Sequence, residues 1–226
     1  MFRRPHHNAI LTALTSFDGD LLQSAECYFG GETAIVLSLD EYRESIDIDF
    51  MCASREGYRM LREITWDRGF EGLIKPSMPI KTLRSLRTDQ YGIRTIIQPV
   101  GIDTPIKFEI VRENRISLSG AVDARLGVPQ LARDDMYTEK LLANADRWPD
   151  RAVLSRDIID LSIMISRWGP IPEAAWEKAR TAYGVTVDEA YGKAVDHIRD
   201  RDELRRCMRE LSIDPALLDE ILSAHD

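Results

Sequence analysis

Apolar and polar positions along the chain switch between two periods. Residues 7 to 24 carry Ile10, Leu11, Leu14, Phe17, Leu21 and Leu22 at helical spacing, which predicts one amphipathic helix. Glu26 to Phe29 reads as a short strand running into Gly30-Gly31, and Thr33 to Leu39 as a helix that starts at that turn. From Ile46 to Cys52 the period becomes 2, so Ile46, Ile48 and Phe50 are expected on a core face and Asp47 and Asp49 on the opposite one. Glu56 to Arg68 is helical again. Strands are predicted near 80 to 86, over Arg94 to Val100 and over Ile106 to Arg112, the last two joined through Gly101-Ile102-Asp103-Thr104-Pro105. From Asp134 onward helices follow one another, separated by Trp148-Pro149, Gly169-Pro170, Gly184 and Asp214-Pro215. The expected fold class is α/β (α+β): a mixed sheet flanked by helices in residues 1–128, then a helical C-terminal domain in residues 129–226.

The chain has 226 residues and is 44% hydrophobic, so a packed core is expected rather than disorder. The formal net charge of -8 argues against a surface that coats nucleic acid generally, though not against a local basic patch at an RNA end. Arg199, Arg201, Arg205, Arg206 and Arg209 offer one such patch, but Asp196, Asp200, Asp202, Glu203 and Glu210 interleave with them, which favours a solvated helix face of ion pairs. Cys27, Cys52 and Cys207 are odd in number and lack ligand spacing, so they read as reduced thiols in a cytoplasmic protein. No stretch reaches the roughly 20 apolar residues of a membrane span, and the N-terminus does not read as a secretory signal.

The chemistry is concentrated around Asp47 and Asp49. Two carboxylates on one strand face repel each other, and a hard divalent cation such as Mg2+ or Mn2+ relieves that with oxygen ligands. Gly30 and Gly31 suit a backbone that must come close to a triphosphate. Ile106, Phe108 and Ile110 alternate with Lys107 and Glu109; if this strand lies beside Asp47 and Asp49, Glu109 completes a three-carboxylate cluster able to hold metal for in-line phosphoryl displacement. The other reading of Glu109 is a solvated residue next to Lys107. Lys140 suits a phosphate contact or a solvated helix face. Asp157 and Asp160 share a helix face, either as a base or support for Lys140 or Arg156, or as a salt-bridge set with Arg151 and Arg156. Arg43 could neutralise the acidic cluster, bind phosphate, or pair with Asp47 or Glu44. His6 and His7 are expected to be solvated at a mobile terminus, and Trp66 to be a packing residue.

Gly30-Gly31-Glu32-Thr33-Ala34 followed by Arg43-x-Ser45-x-Asp47-x-Asp49-Phe50 resembles the AbiEii/AbiGii-type nucleotidyltransferases, a branch of the DNA polymerase β-like superfamily. Lys140, Arg147 and Asp157-Ile158-Ile159-Asp160 fall where that family carries a lysine, an arginine and an Asp-x-x-Asp pair, so the resemblance spans roughly residues 26 to 165. It implies an NTP substrate and a divalent metal on Asp47, Asp49 and Glu109, with Asp160 also catalytic. Nucleotide contacts would come from Gly30, Gly31, Thr33, Arg43, Ser45 and Lys140. It further implies transfer of an NMP to an acceptor hydroxyl, in some members on tRNA, and a toxin role in toxin–antitoxin or phage-defence systems with a cognate antitoxin. Glu32 departs from the family pattern, where this position is usually small. A carboxylate there would repel a triphosphate, which leaves room for a non-catalytic nucleotide-binding or interaction module of the same fold. A small-molecule nucleotidyltransferase of the antibiotic-modifying type is the second alternative.

Overall fold

A computed structural model describes every residue except Ser77 and Pro79. The chain forms two compact units. Met1–Leu37 and Ser45–Ala132 make the first; Ser38–Glu44 and Arg133–Asp226 make the second.

The first unit opens with α1 (Pro5–Ser16) and α2 (Gly19–Ser24). The single helix expected over 7 to 24 is broken at Phe17-Asp18. Asp18 caps α2 by accepting a hydrogen bond from the Leu21 N–H, and Phe17 leaves the helix to stack on Phe108 with ring centroids 5.2 Å apart. Next come β1 (Cys27–Gly30), α3 (Gly31–Ser38), β2 (Asp47–Cys52) and α4 (Arg55–Arg68). After a short 3-10 helix (Gly69–Leu73) the remaining elements of this unit are strands: β3 (Ile80–Thr82), β4 (Arg87–Thr88), β5 (Gly92–Pro99), β6 (Ile106–Arg112), β7 (Gly120–Asp123) and β8 (Val128–Leu131). The strand expected near 80 to 86 is therefore shorter, and β7 and β8 were not anticipated.

These strands form one mixed sheet in the order β3-β5-β6-β2-β1-β8-β7, with β4 also on β5. The β2/β6 and β1/β8 pairs are parallel, and the rest are antiparallel. Period-2 patterning fixes which face of β2 is inside. Ile48 and Phe50 are fully buried, in a cluster with Phe17, Phe70 and Phe108. Ile46 was expected on that face, but it precedes the strand and is 52% exposed. Trp66, expected to pack, is 88% exposed on α4.

The second unit is helical beyond its short leading segment: α5 (Arg133–Arg147), α6 (Arg156–Trp168), α7 (Glu173–Tyr183), α8 (Thr186–Ile198), α9 (Arg201–Glu210) and α10 (Leu218–Ser223). Helix α5 packs against α6, α7 and α8 around Leu141, Leu142, Ile158, Ile159 and Ile163. On α9 the arginines pair locally, Arg205 with Asp202 and Arg206 with Glu203, as the interleaved acids suggested. Among the described residues no helix is long and apolar enough to cross a membrane.

Candidate active site

The strand register of the first unit assembles the site. Gly30 on β1 is the lateral partner of Asp49 on β2, Asp49 of Glu109 on β6, Glu109 of Arg94 on β5, and Arg94 of Arg87 on β4. Lateral partners in a sheet share a face, so these residues form one row across five strands. Asp47, two positions before Asp49, lies on the same face opposite Lys107. The structure thus brings Asp47, Asp49 and Glu109 to one surface.

Charge in this row is tightly coupled. Desolvation is the main reason that the Asp49 carboxyl is pushed up to about 7; Lys107 opposes it, while Asp47, Glu109 and Glu32 add to it. Two cations of the chain offset part of the negative charge. Arg94 Nε lies 2.5 Å from Glu109 Oε1, and its Nη1 lies 3.3 Å from Asp89 Oδ2. Lys107 Nζ lies 3.5 Å from Glu109 Oε2 and 3.8 Å from Asp47 Oδ2. Asp47, Asp49 and Glu109 are oxygen donors of the kind a hard dication takes, and an ion beside Asp49 would favour its ionised form, but Lys107 and Arg94 hold the row and the three carboxylates are not drawn together as a ligand set.

The glycine turn is shaped by the same aspartate. Gly31 has φ of 65°, in the left-handed region, and a Cβ on it would lie 3.0 Å from Asp49 Oδ2. Glycine at 31 thus satisfies the backbone conformation and also lets the main chain lie against the carboxylate. Gly31 opens α3, whose first N–H groups lack partners within the helix, and Glu32 stands in that first turn. Thr33 and Ser45 are both buried, and their hydroxyls hydrogen-bond each other at 2.7 Å, tying the start of α3 to the approach to β2. The Ser45 N–H in turn donates to His7 Nε2 at 3.3 Å. His7 is therefore a fully buried residue of α1, not a solvated terminal one. Its spacing of three and four from Ile10 and Leu11 was the available signal.

Arg43, Lys140 and Asp160 come together in the second unit. Arg43 forks onto Asp160, Nε to Oδ1 at 2.8 Å and Nη2 to Oδ2 at 2.9 Å. Lys140 Nζ contacts Asp160 Oδ2 at 2.5 Å and Asp157 Oδ1 at 2.9 Å. Arg147 Nε reaches Asp157 Oδ2 at 2.6 Å, and the Tyr42 hydroxyl donates to Asp160 Oδ1 at 2.5 Å. Burial alone would raise both aspartates, but Arg43 and Lys140 hold Asp160 well below the usual carboxylate range, and Lys140 and Arg147 lower Asp157. The network binds α5, α6 and the Ser38–Glu44 segment through charge-assisted hydrogen bonds.

A family model described as "Nucleotidyl transferase AbiEii toxin, Type IV TA system" matches residues 13–224. No curated protein matches the chain. Two solved Helicobacter pylori structures are similar to it at low identity. One is described as a candidate nucleotidyltransferase: 13% identical, covering 83% of this chain and 94% of that chain, with a TM-score of 0.37. The other is JHP933, 14% identical, covering 91% of this chain and 100% of that chain, with a TM-score of 0.38.

Proposed function

Because the chain belongs to the AbiEii nucleotidyltransferase toxin family, we propose that it transfers an NMP from an NTP to an acceptor hydroxyl, with Asp47, Asp49 and Glu109 holding Mg2+ or Mn2+. The observation that carries this reading is the row Gly30–Asp49–Glu109, which sets a glycine turn and a helix N-terminus beside three carboxylates of one sheet face. An ion held by Asp47, Asp49 and Glu109 would neutralise charge on the triphosphate and lower the pKa of the attacking hydroxyl.

The other roles belong to the chain. The Gly30-Gly31 backbone and the N-terminus of α3 receive phosphate oxygens. Thr33 and Ser45, bonded to each other, fix the turn against β2. Attack of the acceptor oxygen on the α-phosphorus forms one P–O bond and breaks the bond to the β-phosphate bridging oxygen; pyrophosphate leaves, and the hydroxyl proton passes to water. Positioning and electrostatics provide the acceleration, with no covalent intermediate on the protein. Arg43, Lys140 and Asp160 receive a structural role in this reading, since each is buried within an ion-pair network. An RNA 3′ end, such as that of tRNA, is the proposed acceptor, and a cognate antitoxin the proposed partner, in a cytoplasmic toxin–antitoxin or phage-defence system.

The test is incubation with each labelled NTP, Mg2+ or Mn2+, and total RNA, alongside Asp49→Ala. Label joined covalently to RNA by the wild type alone supports the proposal. Label appearing only on an added aminoglycoside would move the assignment to a small-molecule nucleotidyltransferase. Tight NTP binding without transfer would favour a non-catalytic module.

A further inference from the structure

Lys107 holds a place among the carboxylates that a metal ion would contest. It is the lateral partner of Asp47 and stands two residues before Glu109, so its side chain leaves the same sheet face as both. Its ammonium lies 3.5 Å from Glu109 and 3.8 Å from Asp47, and Asp49 is also within its electrostatic reach. Arg94, the other cation of the row, is held between Glu109 and Asp89. Lys107 is the looser of the two. Its side chain is 54% exposed against 36% for Arg94, its contacts of 3.5 and 3.8 Å are long beside the 2.5 Å of Arg94 to Glu109, and its four-carbon stem is flexible.

Resting on the metal site proposed above, we infer that Lys107 is a resident counter-ion that competes with divalent metal for the carboxylate row, so that metal enters readily only together with a triphosphate. The charges give the direction. Asp47, Asp49 and Glu109 carry three negative charges when ionised, and Lys107 and Arg94 return two positive ones. A bare dication entering a few ångströms from the ammonium meets repulsion. A metal–triphosphate complex is net anionic and offers the ammonium phosphate oxygens in place of the carboxylates it leaves. Lys107 thereby couples metal entry to nucleotide entry and keeps the row from loading free metal.

The test is Mn2+ binding by calorimetry to the full chain, with and without a non-hydrolysable NTP analogue, for wild type, Lys107→Met and Lys107→Arg. Position 107 is exposed, and circular dichroism verifies each variant's fold. Lys107→Met is expected to bind free Mn2+ about tenfold tighter than wild type, while Lys107→Arg stays near wild type. The analogue should strengthen Mn2+ binding in wild type and much less in Lys107→Met. Unchanged or weaker free-metal affinity in Lys107→Met overturns the inference, as does undiminished enhancement by the analogue. Asp49→Ala separates the two readings. If it abolishes Mn2+ binding while Lys107→Met changes nothing, the metal site stands and only the role of Lys107 falls. If Mn2+ binding survives Asp49→Ala, or neither wild type nor Lys107→Met binds it, the site reading falls and this inference with it.

Discussion

Arg43 and Asp160 stand 117 residues apart in sequence and form a two-armed ion pair with almost no solvent exposure on either side chain. Removing one partner leaves the other charged and buried. Asp160→Ala is expected to destabilise the protein by about 3–5 kcal/mol in urea denaturation, with Arg43→Met similar. The two changes combined should cost less than their sum. Additive losses would show that the pair is not coupled.

The same carboxylate sets a pH dependence. Its folded-state value lies below its unfolded one, so its contribution to stability is fully present above the ordinary carboxylate range near pH 4 and is lost as pH falls through the depressed folded value. Asp160→Asn should therefore be less stable than wild type at pH 7, and the gap should narrow only in strong acid. A gap that closes by pH 5 would contradict this assignment.

Asp49 predicts the opposite slope. Its carboxyl is raised from 3.8 to about 7, so in metal-free protein it favours folding in acid, and that contribution fades as pH rises from about 4 to about 7. With EDTA present, Asp49→Asn is expected to be more stable than wild type at pH 8, by about 2 kcal/mol after allowing for partial exposure, and nearly equal to it at pH 4. Thermal melts at the two pH values decide the matter. Adding metal with an NTP analogue should then stabilise wild type but not Asp49→Asn.

Gly31→Ala adds a Cβ where the backbone is left-handed and where Asp49 Oδ2 would lie at 3.0 Å. A loss of about 1–2 kcal/mol is expected from the conformation alone. Because the displaced group is Asp49, NMP transfer should fall more steeply than stability does. A variant with wild-type transfer rates would remove the turn from the site.

Much of the site was legible because alternation in a strand is a local signal. Asp47 and Asp49 on one face and Ile48 and Phe50 on the other follow from period 2 alone, as does the shared face of Lys107 and Glu109. What periodicity does not carry is lateral pairing. That β2 and β6 are parallel neighbours, and that Asp49 meets Glu109, depends on tertiary register. Strands β7 and β8 escaped because each has four residues, and glycine and proline occur at Gly120 and Pro129. Arg43 invited a nearby partner, Glu44 or Asp47, whereas tertiary packing brought it Asp160. His7 lies close to the terminus, yet its helical spacing from Ile10 and Leu11 puts it on the buried face of α1.

The parallel pairing of β1 with β8 has a consequence for synthesis. Phe29 is matched with Gln130, so β1 waits for about a hundred further residues before that flank is covered. Until then β1 presents an open edge that invites pairing with a foreign strand. A nascent chain arrested before Val128 thus leaves that edge uncovered for as long as the arrest lasts.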